Sequence, residues 1–265
     1  MATDGGGLES SGEVYRFACL ELRGGNRAAV YRAELPGLNA WVSCRPLHPA
    51  IRGGDLYYLS VCSQGSISRV TLADVAGHGE AVSSVAERLR GALRKHADDW
   101  DQSALIRRLN DNFLKISVDG RFATAVLLSH YAQTGELLFT NAGHLPPLWY
   151  HAAFEEWTFL QEATPYSKEI ADLPLGMIAG TAYSQSGIQL EPNDLLLLYT
   201  DGVSESRDDH GEQLGLDRLL EIASGLPTGS ASAAGEELLS AIGRFRGSVP
   251  ATDDETVVAL HRYSV

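Results

Sequence analysis

Short apolar stretches separated by glycine and proline dominate residues 14 to 75, a pattern typical of β-strands. The same pattern returns after residue 122, where the turn at Gln133–Glu136 joins two apolar stretches into a hairpin. The run Leu195–Thr200 is continuously apolar, which favours a strand buried on both faces. The predicted strands are Val14–Leu20, Ala40–Cys44, Leu56–Cys62, Ser68–Ala73, Ala123–His130, Leu137–Asn141, Leu148–Tyr150, Leu195–Thr200 and Val257–His261.

Helical spacing replaces the strand pattern in two parts of the chain. Apolar residues repeat every three or four positions over Ala81–His96, and again on a face containing Leu105, Leu109, Phe113 and Ile116. Asp101 is placed to cap the second of these helices. Leu214–Ala223 and Glu236–Phe245 predict a second helix pair, separated by a Gly/Ser/Ala-rich loop over residues 224–235.

The predicted strands occur in blocks. One helix pair lies between the blocks and a second helix pair lies near the C-terminus. This order indicates an α+β fold and not a repeated βαβ unit. Two sheets packed face to face, with helices outside, would bury all the apolar faces. We expect one domain over residues 14–265, preceded by a flexible tail over residues 1–13.

Composition restricts the class of function. The 265 residues are 44% hydrophobic, enough for a full core, and the formal net charge is −13. An acidic chain is a poor partner for nucleic acid or for an anionic membrane surface, because both need clustered Lys and Arg. Three cysteines without a CxxC pair, and an N-terminus unlike a signal peptide, predict a cytoplasmic protein.

Four aspartates follow or open predicted strands, often beside glycine: Asp55, Asp74, Asp201 and Asp253. A buried carboxylate is costly unless it is paired or binds a metal. Each Asp–Gly segment alone is as typical of an ordinary turn. Their shared placement favours a hard-cation site with oxygen ligands, Mg²⁺ or Mn²⁺, and therefore a hydrolase.

Other chemistries lack their motifs. The chain has no GxxxxGK[ST] loop, no HExxH, no paired CxxC and no GxSxG elbow. Nucleotide binding through a phosphate loop, a zinc site and a serine nucleophile are therefore not predicted.

An ordered series of motifs runs from about residue 50 to the C-terminus. The motifs are Gly53-Gly54-Asp55, Asp74-x-x-Gly77-His78-Gly79, Phe122-Ala123-Thr124, Asn141-Ala142-Gly143-His144-Leu145-Pro146-Pro147, Leu173-Pro174-Leu175-Gly176, Tyr199-Thr200-Asp201-Gly202-Val203-Ser204-Glu205 and Asp253-Asp254-x-Thr256. The series resembles the SpoIIE-like branch of bacterial metal-dependent (PPM, type 2C) Ser/Thr protein phosphatases. This resemblance implies a four-layer α/β/β/α sandwich of two mostly antiparallel sheets flanked by helix pairs.

The resemblance also implies two Mn²⁺ or Mg²⁺ ions that activate a shared water. In this assignment Asp74 bridges the ions and the carbonyl of Val75 is a neighbouring ligand. Asp201 and Asp253 belong to one ion and Asp55 to the other. Asp119 resembles the ligand of a third metal in related phosphatases.

Several further positions follow from the same comparison. His78 is either the proton donor to the leaving oxygen or a structural residue at the helix entry. Arg52 is a candidate phosphate contact. Asp254 is expected to shape its loop. Tyr58 stands where relatives usually carry another acid, which is expected to weaken the second metal.

The expected function is hydrolysis of phosphoserine or phosphothreonine on a phosphorylated protein substrate, such as an anti-sigma-factor antagonist, with no nucleic acid and no membrane involved. The alternative is a catalytically weak partner-binding module that keeps the fold. Retention of Asp55, Asp74, Asp201 and Asp253 favours the enzyme, because unpaired buried acids would destabilise a scaffold.

Overall fold

The computed structural model of this chain describes residues 14–18, 22–62, 65–77, 80–96, 101–117, 120–160 and 172–263. The strands in this part of the chain are β1 (Val14–Arg16), β2 (Leu22–Arg27), β3 (Ala29–Leu35), β4 (Leu38–Arg45), β5 (Arg52–Val61), β6 (Ile67–Val75), β7 (Ala123–Tyr131), β8 (Glu136–Ala142), β9 (Leu148–His151), β10 (Glu156–Phe159), β11 (Ser186–Gln189), β12 (Leu195–Tyr199) and β13 (Glu255–Arg262). The helices are α1 (Glu80–Lys95), α2 (Gln102–Ile116), α3 (Asp201–Ser204), α4 (Gly215–Ala223) and α5 (Ala231–Arg246).

These strands form two sheets. One has the order β1-β3-β4-β13-β12-β9-β10, and the other has the order β11-β8-β7-β6-β5-β2. Their pairings are antiparallel except for the parallel pair β1–β3. We call them the seven-stranded and the six-stranded sheet.

Three apolar layers hold the sandwich together. One cluster lies between the sheets, one joins the six-stranded sheet to α1 and α2, and one joins the seven-stranded sheet to α4 and α5. The strand β12 is buried on both faces, which explains why its sequence is apolar throughout. Leu196 and Leu198 face the core between the sheets, and Leu195 and Leu197 face the helices. The predicted α/β/β/α sandwich is confirmed.

The helix signals agree with the structure at α2. The side chain of Asp101 accepts a hydrogen bond from the N–H of Ala104 at 2.9 Å, as an N-cap does. Leu105, Leu109 and Phe113 are buried on one face. The loop predicted over residues 224–235 is wrong in its last five positions, because α5 begins at Ala231.

Residues 1–13 lie outside the described part of the chain, so the expected tail stays a prediction. The helices that are described include none long and apolar enough to span a membrane. The cytoplasmic location also stays a prediction.

Candidate metal centre

Asp55 and Asp74 lie directly opposite each other on the neighbouring strands β5 and β6. Side chains alternate along a strand, and Tyr57 and Leu59 of β5 belong to the core between the sheets. Asp55 therefore also faces the space between the sheets, where it is 2% exposed, and Asp74 is half-buried. Asp55 lies inside β5 and not in a turn ahead of it.

The seven-stranded sheet contributes the other two aspartates. Asp201 begins the short helix α3 two residues after the end of β12, and Asp253 lies two residues before β13. Because β12 and β13 are antiparallel neighbours, the end of one and the start of the other lie together. The four acids therefore come in pairs from two facing sheets.

Thr200 links the two sheets at this point. Its hydroxyl donates to Oδ2 of Asp55 at 2.7 Å and accepts the backbone N–H of Thr256 at 3.0 Å. Thr200 is fully buried, so this contact fixes one carboxylate of the six-stranded sheet against a strand of the other.

Asp254 has a structural role that agrees with the loop-shaping expectation. It is 2% exposed and accepts backbone N–H groups from Leu47 at 2.6 Å and from Gly54 at 2.7 Å. A Cβ on Gly53 would lie 2.4 Å from Oδ2 of Asp254. Glycine at position 53 is therefore explained by the close approach of this carboxylate.

The acids raise one another's pKa values. Burial is the largest cause at Asp74, followed by the charges of Asp201 and Asp253, and together they raise its pKa to about 8. Burial and the charge of Asp253 raise the pKa of Asp201 to about 6. Burial and then Asp74 raise the pKa of Asp55, opposed by hydrogen bonds from threonine. A cation bound among these groups would reverse that repulsion.

The donor set fits a hard divalent cation, since it consists of carboxylate oxygens whose pKa values are raised by burial and by other acids. The carbonyl oxygen of Val75 lies in the same region, 2.8 Å from where a Cβ on Gly54 would stand. Among the described residues no three His, Cys, Asp or Glu side chains form a ready-made ion site. The carboxylates of the described residues thus lie in one region, but no three of them are close enough together to form a complete ion site.

The remaining predicted positions are distributed differently. Tyr58 is buried in the cluster beneath α1 and α2, on the opposite face of β5 from Asp55. The side chain of an acid at position 58 would leave β5 on the face covered by α1 and α2. Tyr58 therefore does not replace a side chain that faces the four aspartates. Arg52 begins β5, three residues before Asp55, and its contact with the phosphate stays a prediction. His78 and Asp119 lie outside the described residues, and their roles stay predictions.

Two residues near the centre were given no role from the sequence. Arg121 donates to the carbonyl of Ala76 at 3.4 Å, two residues beyond Asp74. His144 places Nδ1 2.7 Å from the hydroxyl of Thr124, which lies opposite Asp74 on β7. Both contacts join segments distant in sequence. The motifs marked these segments, since Arg121 precedes one motif and His144 belongs to another, but they did not indicate the contacts.

Solved structures share this architecture. The PP2C phosphatase domain with a fragment of the regulatory domain of the cell fate determinant SpoIIE from Bacillus subtilis superposes with a TM-score of 0.72 at 20% identity, covering 86% of this chain and 64% of that one. The RsbU and RsbW domains of a Mycobacterium tuberculosis protein give 0.69 at 22% identity, covering 87% and 61%. The fold is therefore that of a PP2C phosphatase domain.

The sequence comparison is more specific. The family described as Stage II sporulation protein E (SpoIIE) matches residues 65–263, most of the chain, and the chain belongs to this family. The phosphoserine phosphatase RsbU of Bacillus subtilis (strain 168) is 25% identical over 176 residues, which cover 65% of this chain. The chain spans half of that relative's length.

Proposed function

We propose that this chain is a metal-dependent protein phosphatase that hydrolyses phosphoserine or phosphothreonine on a regulatory protein. One observation carries the proposal: a SpoIIE-family fold brings together four aspartates, in pairs from its two sheets. Membership of this family and similarity to a phosphoserine phosphatase support the same reaction.

Asp74 and the carbonyl of Val75, with Asp55, Asp201 and Asp253, would hold two Mn²⁺ or Mg²⁺ ions, and Asp119 would serve a third. Such ions would supply the positive charge that makes a water nucleophilic near neutral pH and offsets the charge of the phosphoryl group. Thr200 orients Asp55 for this task. Arg52 is proposed to contact the phosphate, and His78 to give a proton to the leaving oxygen.

The substrate would be a phosphorylated signalling protein. Similarity to RsbU, and to a structure that contains RsbU and RsbW domains, supports a partner of this kind. An anti-sigma-factor antagonist is the specific substrate that we propose.

The first test is turnover of p-nitrophenyl phosphate and of a phosphoserine peptide by the purified chain with Mn²⁺, with and without EDTA. We expect EDTA to abolish turnover. Asp74→Asn should lower kcat/KM by at least about a hundredfold, since even outer-shell partners of metal ligands are worth about 10–100-fold. Asp217→Asn, which removes an exposed acid from α4, is the matched control and should retain activity.

Turnover that persists in EDTA, or in Asp74→Asn, would contradict the proposal. Tight binding of a phosphoprotein in calorimetry, with no hydrolysis in Mn²⁺, would instead identify the partner-binding module considered above.

A further inference from the structure

Exposed apolar side chains gather at one rim of the candidate metal centre. Among the described residues, those with large exposed hydrophobic side chains include Phe122 at 39%, Met177 at 49% and Ile178 at 44%. Hydrogen bonds between Ala123 and Leu175 bring their two segments together, at 3.0 and 2.7 Å. Exposed apolar side chains about 55 positions apart in sequence are thus carried by two paired segments, and exposed apolar surface of this kind commonly marks an interaction site.

Phe122 lies next to the acids. The N–H of Ala76 donates to the carbonyl of Phe122 at 2.9 Å, which continues the pairing of Asp74 with Thr124 by two residues. Ala123 faces the helices, so strand alternation places Phe122 on the same side as Thr124 and Asp74. An exposed aromatic ring therefore borders the place where a phosphoryl group would bind.

The segment that carries Met177 and Ile178 is held in place. The buried amide of Asn110, on α2, accepts the N–H of Gly176 at 2.8 Å and donates to the carbonyl of Ile178 at 3.0 Å. The hydroxyl of Thr181 donates to the same carbonyl at 2.8 Å. Two apolar side chains are thus exposed on a well-anchored turn, which reduces the ordering cost of binding to them.

Arg121 fixes the inner edge of this surface. Its guanidinium donates to the carbonyl of Ala76, and Nη1 would lie 3.2 Å from a Cβ on Gly77. This contact and the hydrogen bond from Ala76 to the carbonyl of Phe122 hold the segment of Phe122 against the end of β6.

We propose that Phe122, Met177 and Ile178 form a docking shelf for the segment of the protein substrate that carries the phosphorylated residue. This inference rests on the proposed phosphatase function. The three apolar side chains bind apolar side chains next to the phosphorylated residue. The shelf is continuous with the acid centre, and the net negative charge disfavours acidic neighbours, so the preferred substrate carries apolar residues around the phosphoserine or phosphothreonine.

The test compares three substrates with Mn²⁺: p-nitrophenyl phosphate, a phosphoserine peptide flanked by leucine, and the same peptide flanked by serine. The readout is the kcat/KM of each peptide divided by that of p-nitrophenyl phosphate. We expect the wild-type protein to prefer the leucine-flanked peptide by about tenfold, an effect of the size found for single interface anchors. Phe122→Ser, and separately Met177→Ser with Ile178→Ser, should remove most of that preference through KM.

Phe154→Ser is the matched control, because Phe154 is 76% exposed in the turn between β9 and β10. It should keep the preference. An unchanged preference in both shelf variants, or an equal loss for all three substrates, would overturn the shelf and leave the phosphatase function standing. No turnover of any substrate by the wild-type protein would overturn the function, and the shelf with it.

Discussion

His144 shows how a single residue supports the centre without belonging to it. Its backbone N–H donates to Oδ1 of Asn141 at 2.6 Å, and its carbonyl accepts from Nδ2 of the same side chain at 2.9 Å. The ring reaches Thr124 on the six-stranded sheet, and the hydroxyl of Tyr199 donates to the carbonyl of Pro146 in the same loop. This loop therefore connects β12 to β7 beside the acids, which explains the motif at residues 141–147.

The buried ring predicts a pH dependence. Burial lowers the pKa of His144 from its ordinary 6.5 to about 4. Between these values the unfolded chain binds the proton and the folded protein does not, so stability falls as the pH falls from 6.5 to 4. The loss is up to about 1.4 kcal/mol per pH unit, or roughly 3 kcal/mol in all. Urea unfolding of the wild-type protein and of His144→Gln should therefore show a difference that shrinks toward pH 4.

The comparison with a variant is needed because the carboxylates act with the opposite sign. A raised pKa such as that of Asp74 makes the folded protein more stable toward lower pH. Both proteins contain the same carboxylates, so the contribution of the carboxylates cancels when the stability of His144→Gln is subtracted from that of the wild-type protein. His210→Gln, at an exposed histidine, should follow the wild-type curve. A constant difference between wild type and His144→Gln from pH 7 to pH 4 would contradict the prediction.

The elements could be predicted where each carries its own signal. The predicted helix and strand segments over Ala81–His96, Ala123–His130 and Leu195–Thr200 match α1, β7 and β12 to within a residue or two. The strand β2 could not be predicted, because Leu22–Arg27 has almost no apolar side chains. It forms because its glycines allow close pairing with β5: a Cβ on Gly24 would lie 2.5 Å from the carbonyl oxygen of Tyr57.

Helix α5 is a case in which a local signal was present and was missed. Ser230 is its N-cap, and its hydroxyl accepts the N–H of Ala233 at 3.1 Å. The serine, alanine and glycine residues that follow it predict a loop by their composition. Their small size is instead required by packing, because a Cβ on Gly235 would lie 2.3 Å from Cε3 of Trp41 on β4.

This packing predicts opposite effects at two glycines of the same helix. Gly243→Ala should raise the free energy of unfolding by about 0.5–1 kcal/mol, because alanine is the better helix former and nothing lies within 4 Å of the added Cβ. Gly235→Ala gains the same propensity but overpacks the contact with Trp41, and should lower stability by about 1–3 kcal/mol. Urea unfolding measures both, and stabilisation by Gly235→Ala would show that α5 does not press on β4 in this way.

The spatial arrangement of the site depends on the fold of the whole molecule and could not be predicted from the sequence. The aspartates were recognisable from their motifs, but their arrangement depends on strand pairing and on the packing of two sheets. The register of β5 with β6 sets Asp55 opposite Asp74, and the contact of Thr200 with Asp55 joins the second sheet. The expected effect of Tyr58 on the second metal stays a prediction, but the structure places Tyr58 on the other face of β5 from Asp55, because an odd number of positions separates the two residues.

A site shared by two sheets makes the stability of the molecule depend on divalent ions. Repulsion among the acids opposes folding without ions, whereas ions that bind only the folded protein stabilise it by about 2.7 kcal/mol at a hundred times Kd. For a chain of this size, Mn²⁺ should raise the Tm by roughly 5 °C. Asp74→Asn in the six-stranded sheet and Asp201→Asn, next to the seven-stranded sheet, should each melt above the wild-type protein in EDTA and below it in Mn²⁺.

Asp217→Asn should keep the wild-type response, because its exposed side chain lies on α4. If only one of the two site variants lost the response to Mn²⁺, the ions would be held by one sheet alone, and the inference that the centre spans both sheets would be wrong.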